Sequence, residues 1–226
     1  IGLVWAFQEQ LRVPSLEGAQ DAFLAGQSRS LPYAWAAVIL STAKFSLQIA
    51  FWGHLFIGVA RLAGFRLPRS TWRPLASKTL MEYFNRFHYY FKELLVDFFF
   101  VPTFFKMFRG HPRLRLFFAT FMAAGVGNAI WHFIRDIDLI ATMGLDGALA
   151  SFASYAFYCL ILATGLGLSQ VRMSMGFKPS LSLAGRLRSF LFVWSFVVCL
   201  HIFSDGSRSH SIGERLAFLG SLFGVS

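Results

Sequence analysis

Apolar residues in this chain come in long blocks, not in the alternation of a half-buried strand or the narrow stripe of a surface helix. A membrane-crossing helix needs about 20 such residues. Four blocks reach or approach that length, at 33–60, 114–134, 148–169 and 187–204. A fifth, 79–108, is long and aromatic but is interrupted by Glu82, Asn85, Arg86, His88, Lys92, Glu93 and Asp97. The last, 212–225, is short and contains glycine, which suits an interfacial or terminal helix, or a span cut off.

Composition removes the soluble alternative. Hydrophobic residues are 56% of 226, 28 of them Phe, and charged residues are 14%; soluble domains carry about a quarter charged. Mean hydropathy is +0.55. The pattern predicts an all-α polytopic integral membrane protein, one transmembrane domain over 1–226. The net charge of +10 does not point to nucleic acid, because the bases fall in short clusters between the apolar blocks. Arg61, Arg66, Arg69, Arg73 and Lys78 form one cluster without an acid, whereas 135–146 carries Asp136, Asp138 and Asp146. The positive-inside rule places 61–78 in the cytoplasm. Parity then requires 79–108 to enter and leave on one side, as a re-entrant or broken segment, with Pro102 as the natural break. Cys159 and Cys199 lie inside apolar blocks and read as small core residues. No spacing suits a metal.

Ionisable groups at membrane depth are costly and mark sites or pathways. In a continuous helix Glu82, Arg86, Glu93 and Asp97 share one face and Asn85, His88 and Lys92 another. Arg86 would then hold the Glu93 and Asp97 carboxylates together, as a self-neutralising structural network or as a site. A second feature is Gly125-Val126-Gly127-Asn128-Ala129-Ile130-Trp131-His132. Its small residues permit close helix contact, and Asn128, His132 and Asp136 recur every four residues on one face. The residues leave His132 open between a satisfied core histidine and a general base.

The run Glu82-Tyr83-Phe84-Asn85-Arg86-Phe87-His88, with Asp97 and Pro102 following and Trp131-His132 ending a later apolar block, resembles the signature of the membrane-bound O-acyltransferases. The nearest branch is the one that esterifies alginate and teichoic acid. The resemblance covers roughly 75–136 and makes the chain similar to the C-terminal half of such proteins. Phe84, Asn85, Val96 and Phe133 stand where that family commonly has Trp, Arg, Arg and Gly. The resemblance implies a catalytic His132, with Asn128 orienting it or stabilising an oxyanion. It also implies that Arg86, His88, Asp97, Glu93 and Asn85 shape the donor path. The implied reaction moves a small acyl group from an acyl-coenzyme A or an acyl carrier protein to an extracytoplasmic hydroxyl. The setting it implies is a bacterial cytoplasmic membrane, with no bound cofactor and possible membrane partner subunits. Two other readings are a catalytically silent acyltransferase-like subunit of a larger assembly and a transporter component.

Overall fold

The computed structural model describes residues 2–27, 30–180, 182–204 and 209–225, and is 78% helical, with no strand among the described residues. Eleven α-helices follow one another in the described chain: α1 (Gly2–Gln10), α2 (Leu16–Leu24), α3 (Leu31–Leu62), α4 (Leu80–Phe87), α5 (Tyr89–Leu95), α6 (Val101–Lys106), α7 (Pro112–Phe121), α8 (Asn128–Arg135), α9 (Asp138–Ser174), α10 (Leu183–His201) and α11 (Ile212–Leu222). Five-residue and six-residue π-helical stretches, Val96–Phe100 and Met122–Gly127, join α5 to α6 and α7 to α8. Four helices are long and apolar enough to cross a membrane: Leu31–Leu62, Pro112–Arg135, Asp138–Ser174 and Leu183–His201. They contain the first three predicted spans whole and nearly all of the fourth. The chain is an all-α polytopic membrane protein.

Three local expectations change. The 79–108 block is broken at His88 (φ −126°, ψ 54°), between α4 and α5, and not at Pro102. Pro102 is the second residue of α6, inside a helix that runs on from α5 through the π-helical stretch. The π-helical stretch just before it, in which Val101 N–H bonds to Val96 O, widens the helix where the ring would meet the carbonyl four residues back. The acidic 135–146 segment is mostly helix, with a turn at Asp136 and Ile137 and a kink at Gly144 (φ 72°, ψ 173°), a left-handed position that glycine adopts without strain. Asp136 lies past the end of α8 (φ −106°), so the third member of the Asn128–His132 row leaves the helix and pairs with Arg135.

The chain divides into two compact units. Unit 1 comprises Ile1–Phe51, Asp138–Phe157 and Phe196–Ser226; unit 2 comprises Trp52–Ile137 and Tyr158–Ser195. The unit 1 core contains Leu16, Val38, Phe152, Ile202, Phe203 and Phe218. Phe23 meets Phe218 edge-on, and Trp35 does the same with Phe223 while its indole N–H bonds to Leu222 O. Arg215 is fully buried at 0% exposure and donates to His210 O and Ile202 O. His210 engages Asp21 through Nε2 at 2.9 Å and Ser209 through Nδ1 at 3.0 Å. Ser211 caps α11 in a reciprocal box with Glu214, whose carboxyl is held below the usual range first by the Ser211 backbone N–H.

In unit 2, close approach is set by glycine. A Cβ on Gly127 would lie 2.5 Å from the Phe99 ring, one on Gly167 2.7 Å from Phe117, and one on Gly125 3.0 Å from Ala163. The two π-helical stretches therefore touch at Gly127 and Phe99, and Gly125 sets α9 against the second of them. Tyr83 is buried against Phe87 and Trp194. Cys159 and Cys199 are both free thiols; Cys159 is in the core and Cys199 is only half-buried.

Candidate functional site

The arrangement around α8 begins with backbone geometry. A π-helical stretch adds a residue to a turn and re-aims the side chains that follow it; such stretches recur at functional positions. Here Asn128 N–H bonds to Ala123 O, five residues back, and regular helix resumes at Asn128. Asn128 and His132 thus occupy successive turns of one α8 face, as their spacing predicts.

Their environments differ. Asn128 is buried at 3% exposure, and its side-chain Oδ1 accepts no hydrogen bond. Leaving a buried amide oxygen without a donor costs about 1–3 kcal/mol, so the position is poorly explained by stability alone. His132 is half-buried, and Phe91 from α5 meets it at 6.0 Å between ring centroids. The same Phe91 lies 5.8 Å from the neighbouring Trp131, which is exposed on its other side. One ring of α5 thus steadies both members of the Trp-His pair.

The remaining predicted site residues are distributed differently from the single-face expectation. Arg86 pairs with Glu82, one turn back on α4, and donates to Arg73 O at 3.4 Å. Glu82 also accepts from Lys78 N–H, while Thr79 caps α4 through Glu82 N–H. This group ties α4 to the segment before it. Glu93 pairs with its neighbour Lys92, so the cation for this carboxylate is not Arg86. The turn at His88 is the reason, because it rotates α5 out of the register that a continuous helix would have kept. His88 packs between Phe84 and Phe87, at 6.4 and 4.4 Å between centroids. Asp97 is exposed on the first π-helical stretch beside the exposed Phe98, and Asn85 is exposed on α4. Among the described residues, no group of three His, Cys, Asp or Glu is placed to hold a metal.

Sequence reasoning overlooked Phe91 as the contact that orients His132, and it assigned no role to the α2–α11 pairing through Asp21, His210 and Arg215. The second had a signal in part, since Ser211-Ile212-Gly213-Glu214 is a capping-box pattern that announces α11. Comparison with family models, curated proteins and solved structures gives no match for this chain.

Proposed function

We propose that the protein is a membrane-bound O-acyltransferase, with His132 as the general base. It moves a small acyl group from an acyl-coenzyme A or acyl carrier protein to an extracytoplasmic hydroxyl acceptor, such as a polysaccharide, in a bacterial cytoplasmic membrane. The observation that carries this reading is the pair on α8: a half-buried imidazole one turn from a buried carboxamide whose oxygen has no donor.

In the reaction the acceptor hydroxyl attacks the thioester carbonyl carbon. The C–O bond forms, the C–S bond breaks, and the hydroxyl proton passes to His132 and then to the departing thiolate. Positioned proton removal of this kind contributes about 10²–10⁴-fold. On this reading the Asn128 oxygen accepts the N–H or O–H of a bound partner, and its NH₂ donates to charge developing on the carbonyl oxygen. Gly125 and Gly127 let Ala163 of α9 and Phe99 approach this helix just before Asn128.

The silent-subunit reading draws on one observation. Arg86 is occupied by Glu82 and the Arg73 carbonyl, so it is committed to holding α4 and not free to bind a donor. The deciding experiment incubates the membrane-embedded protein with acetyl-labelled coenzyme A and a hydroxylated polysaccharide acceptor. The acyltransferase reading expects label in the acceptor with the native chain and none with His132→Ala. Equal labelling by the two chains contradicts the assignment of His132.

A further inference from the structure

The basic segment after α3 is built more tightly than a connecting loop requires. Trp72 N–H bonds to Arg86 O at 2.7 Å, Thr71 Oγ1 to Phe87 O at 2.9 Å, and Tyr89 N–H to Ser70 O at 3.2 Å. Tyr90 adds its hydroxyl to Pro68 O at 2.7 Å. The bonds to Arg86 O and Phe87 O take up carbonyls that the end of α4 would otherwise leave open, and the other two fasten the loop to the start of α5. Gly53 lets the same segment lie on α3, because a Cβ there would come within 2.7 Å of Ser70 Oγ. Residues 68–72 are therefore held on both sides.

What this rigid segment presents is two guanidinium groups on one indole. Arg69 lies 4.5 Å and Arg73 4.9 Å from the centre of the Trp72 ring, and all three side chains are exposed. No acidic residue lies anywhere in 61–78, and among the described residues neither arginine forms an ion pair with a carboxylate. Arg73 also holds a left-handed backbone conformation at φ 46°, which a non-glycine residue adopts at a cost. Two like charges stacked on one ring, without a neutralising acid, make a receptor for an anion. Guanidinium edges left free by stacking suit the oxygens of a phosphodiester.

The surroundings indicate which anion. Leu62 is 91% and Phe65 63% exposed immediately before the two arginines, and Leu75 is 63% exposed just after. Such apolar tips suit acyl chains and not water. The 32 residues of α3 make a rod about 48 Å long, against about 30 Å of hydrocarbon, so its last turns reach the membrane interface. Tryptophan is enriched at that level, and basic residues just past a span attract anionic headgroups. We infer that Arg69, Trp72 and Arg73 form a binding site for the phosphodiester headgroup of an anionic phospholipid. This site is separate from the α8 pair and does not depend on the acyltransferase reading.

The test uses the full chain in detergent with dioleoylphosphatidylglycerol or dioleoylphosphatidylcholine, with retained lipid counted by native mass spectrometry. The native chain should retain phosphatidylglycerol preferentially. A juxtamembrane base contributes roughly fivefold to binding at an anionic surface, so Arg69→Gln/Arg73→Gln should lower the preference by roughly 25-fold. Arg69→Lys/Arg73→Lys, which keeps the charge but loses the planar fork stacked on Trp72, should retain only part of it. Lys106→Gln/Arg109→Gln, in a different basic cluster, should leave it unchanged. An unaltered melting temperature in the Gln variant assigns its loss to the site; if that variant unfolds, the native chain and the Lys variant decide. Equal retention of the two lipids by the native chain overturns the proposal. So does an unchanged preference in a folded Gln variant. Displacement of the lipid by millimolar inorganic phosphate would identify a site for soluble phosphate instead. Binding of polyglutamate without any lipid preference would identify a docking face for an acidic protein, and either result contradicts the lipid assignment.

Discussion

Two buried polar side chains in this protein, Arg215 and Asn128, are treated in opposite ways. In unit 1, Arg215 is tied to two carbonyls, His210 is engaged through both ring nitrogens, and Ser211 and Glu214 close the helix end reciprocally. In unit 2, Asn128 is as deeply buried, yet its oxygen accepts nothing, and the helix that carries it follows a π-helical stretch. Burying a polar group is costly unless it is hydrogen-bonded. A cluster that satisfies this demand is explained by stability, and one that leaves it unmet calls for a second explanation, which the proposed chemistry supplies. Gln20 in unit 1 departs from the contrast, since its amide is buried without a hydrogen bond and has no assigned role.

The contrast breaks most visibly at Arg215. Arg215→Ala takes the donor from the buried Ile202 carbonyl, at about 1–3 kcal/mol, and leaves the His210 carbonyl to Ser154 Oγ. At roughly 2–4 °C per kcal/mol for a chain of this size, the melting temperature should fall by about 6 °C in detergent. A change within error would mean that unit 1 is not held by this residue. In unit 2 the corresponding structural weak point is Gly127, where Gly127→Ala forces the Phe99 ring to move. Overpacking of this kind costs about 1–3 kcal/mol. Gly125→Ala, whose Cβ would sit at 3.0 Å from the Ala163 methyl, should cost less; thermal melts that rank the two the other way would contradict the observed packing.

A smaller effect sharpens the description of unit 1. Ser211→Ala removes an N-cap worth about 0.5–2 kcal/mol, measurable as a modest loss of melting temperature. The Glu214 carboxyl is held low by Ser211, so its stabilisation is fully present above the ordinary carboxylate range and is lost as pH falls through its lowered value. The difference in melting temperature between the native chain and Ser211→Ala should therefore narrow on acidification. A difference that stays constant down to strongly acidic pH would show that the bond from the Ser211 hydroxyl to Glu214 adds nothing to the cap.

The sequence made these regions unequally visible. Spans can be read by counting apolar residues, and that count does not depend on how helices pack, so α3 and α10 were legible to within a few residues, whereas α9 starts well before its predicted block, at Asp138. Asn128 and His132 were legible as a pair because four-residue spacing survives wherever regular helix resumes. The break at His88 was not, because Pro102 is the louder signal and the π-helical stretch that accommodates it has no sequence pattern of its own. The link between Asp21 and His210 spans 189 positions and leaves no periodicity to find. Arg215 looks like any other base in a mixed segment until its burial is known.

The claim at the centre of this account is that Asn128 is kept polar for chemistry and not for stability, and the direct measurement is melting temperature and acyl transfer together in Asn128→Leu. Replacing a buried, undonated amide with an apolar side chain of similar shape should leave the melting temperature unchanged or raise it. Transfer should fall by about 10²–10³-fold, as expected when a group that stabilises developing charge is lost. A variant that melts several degrees lower and transfers at the native rate would show instead that Asn128 holds the fold together and takes no part in the reaction.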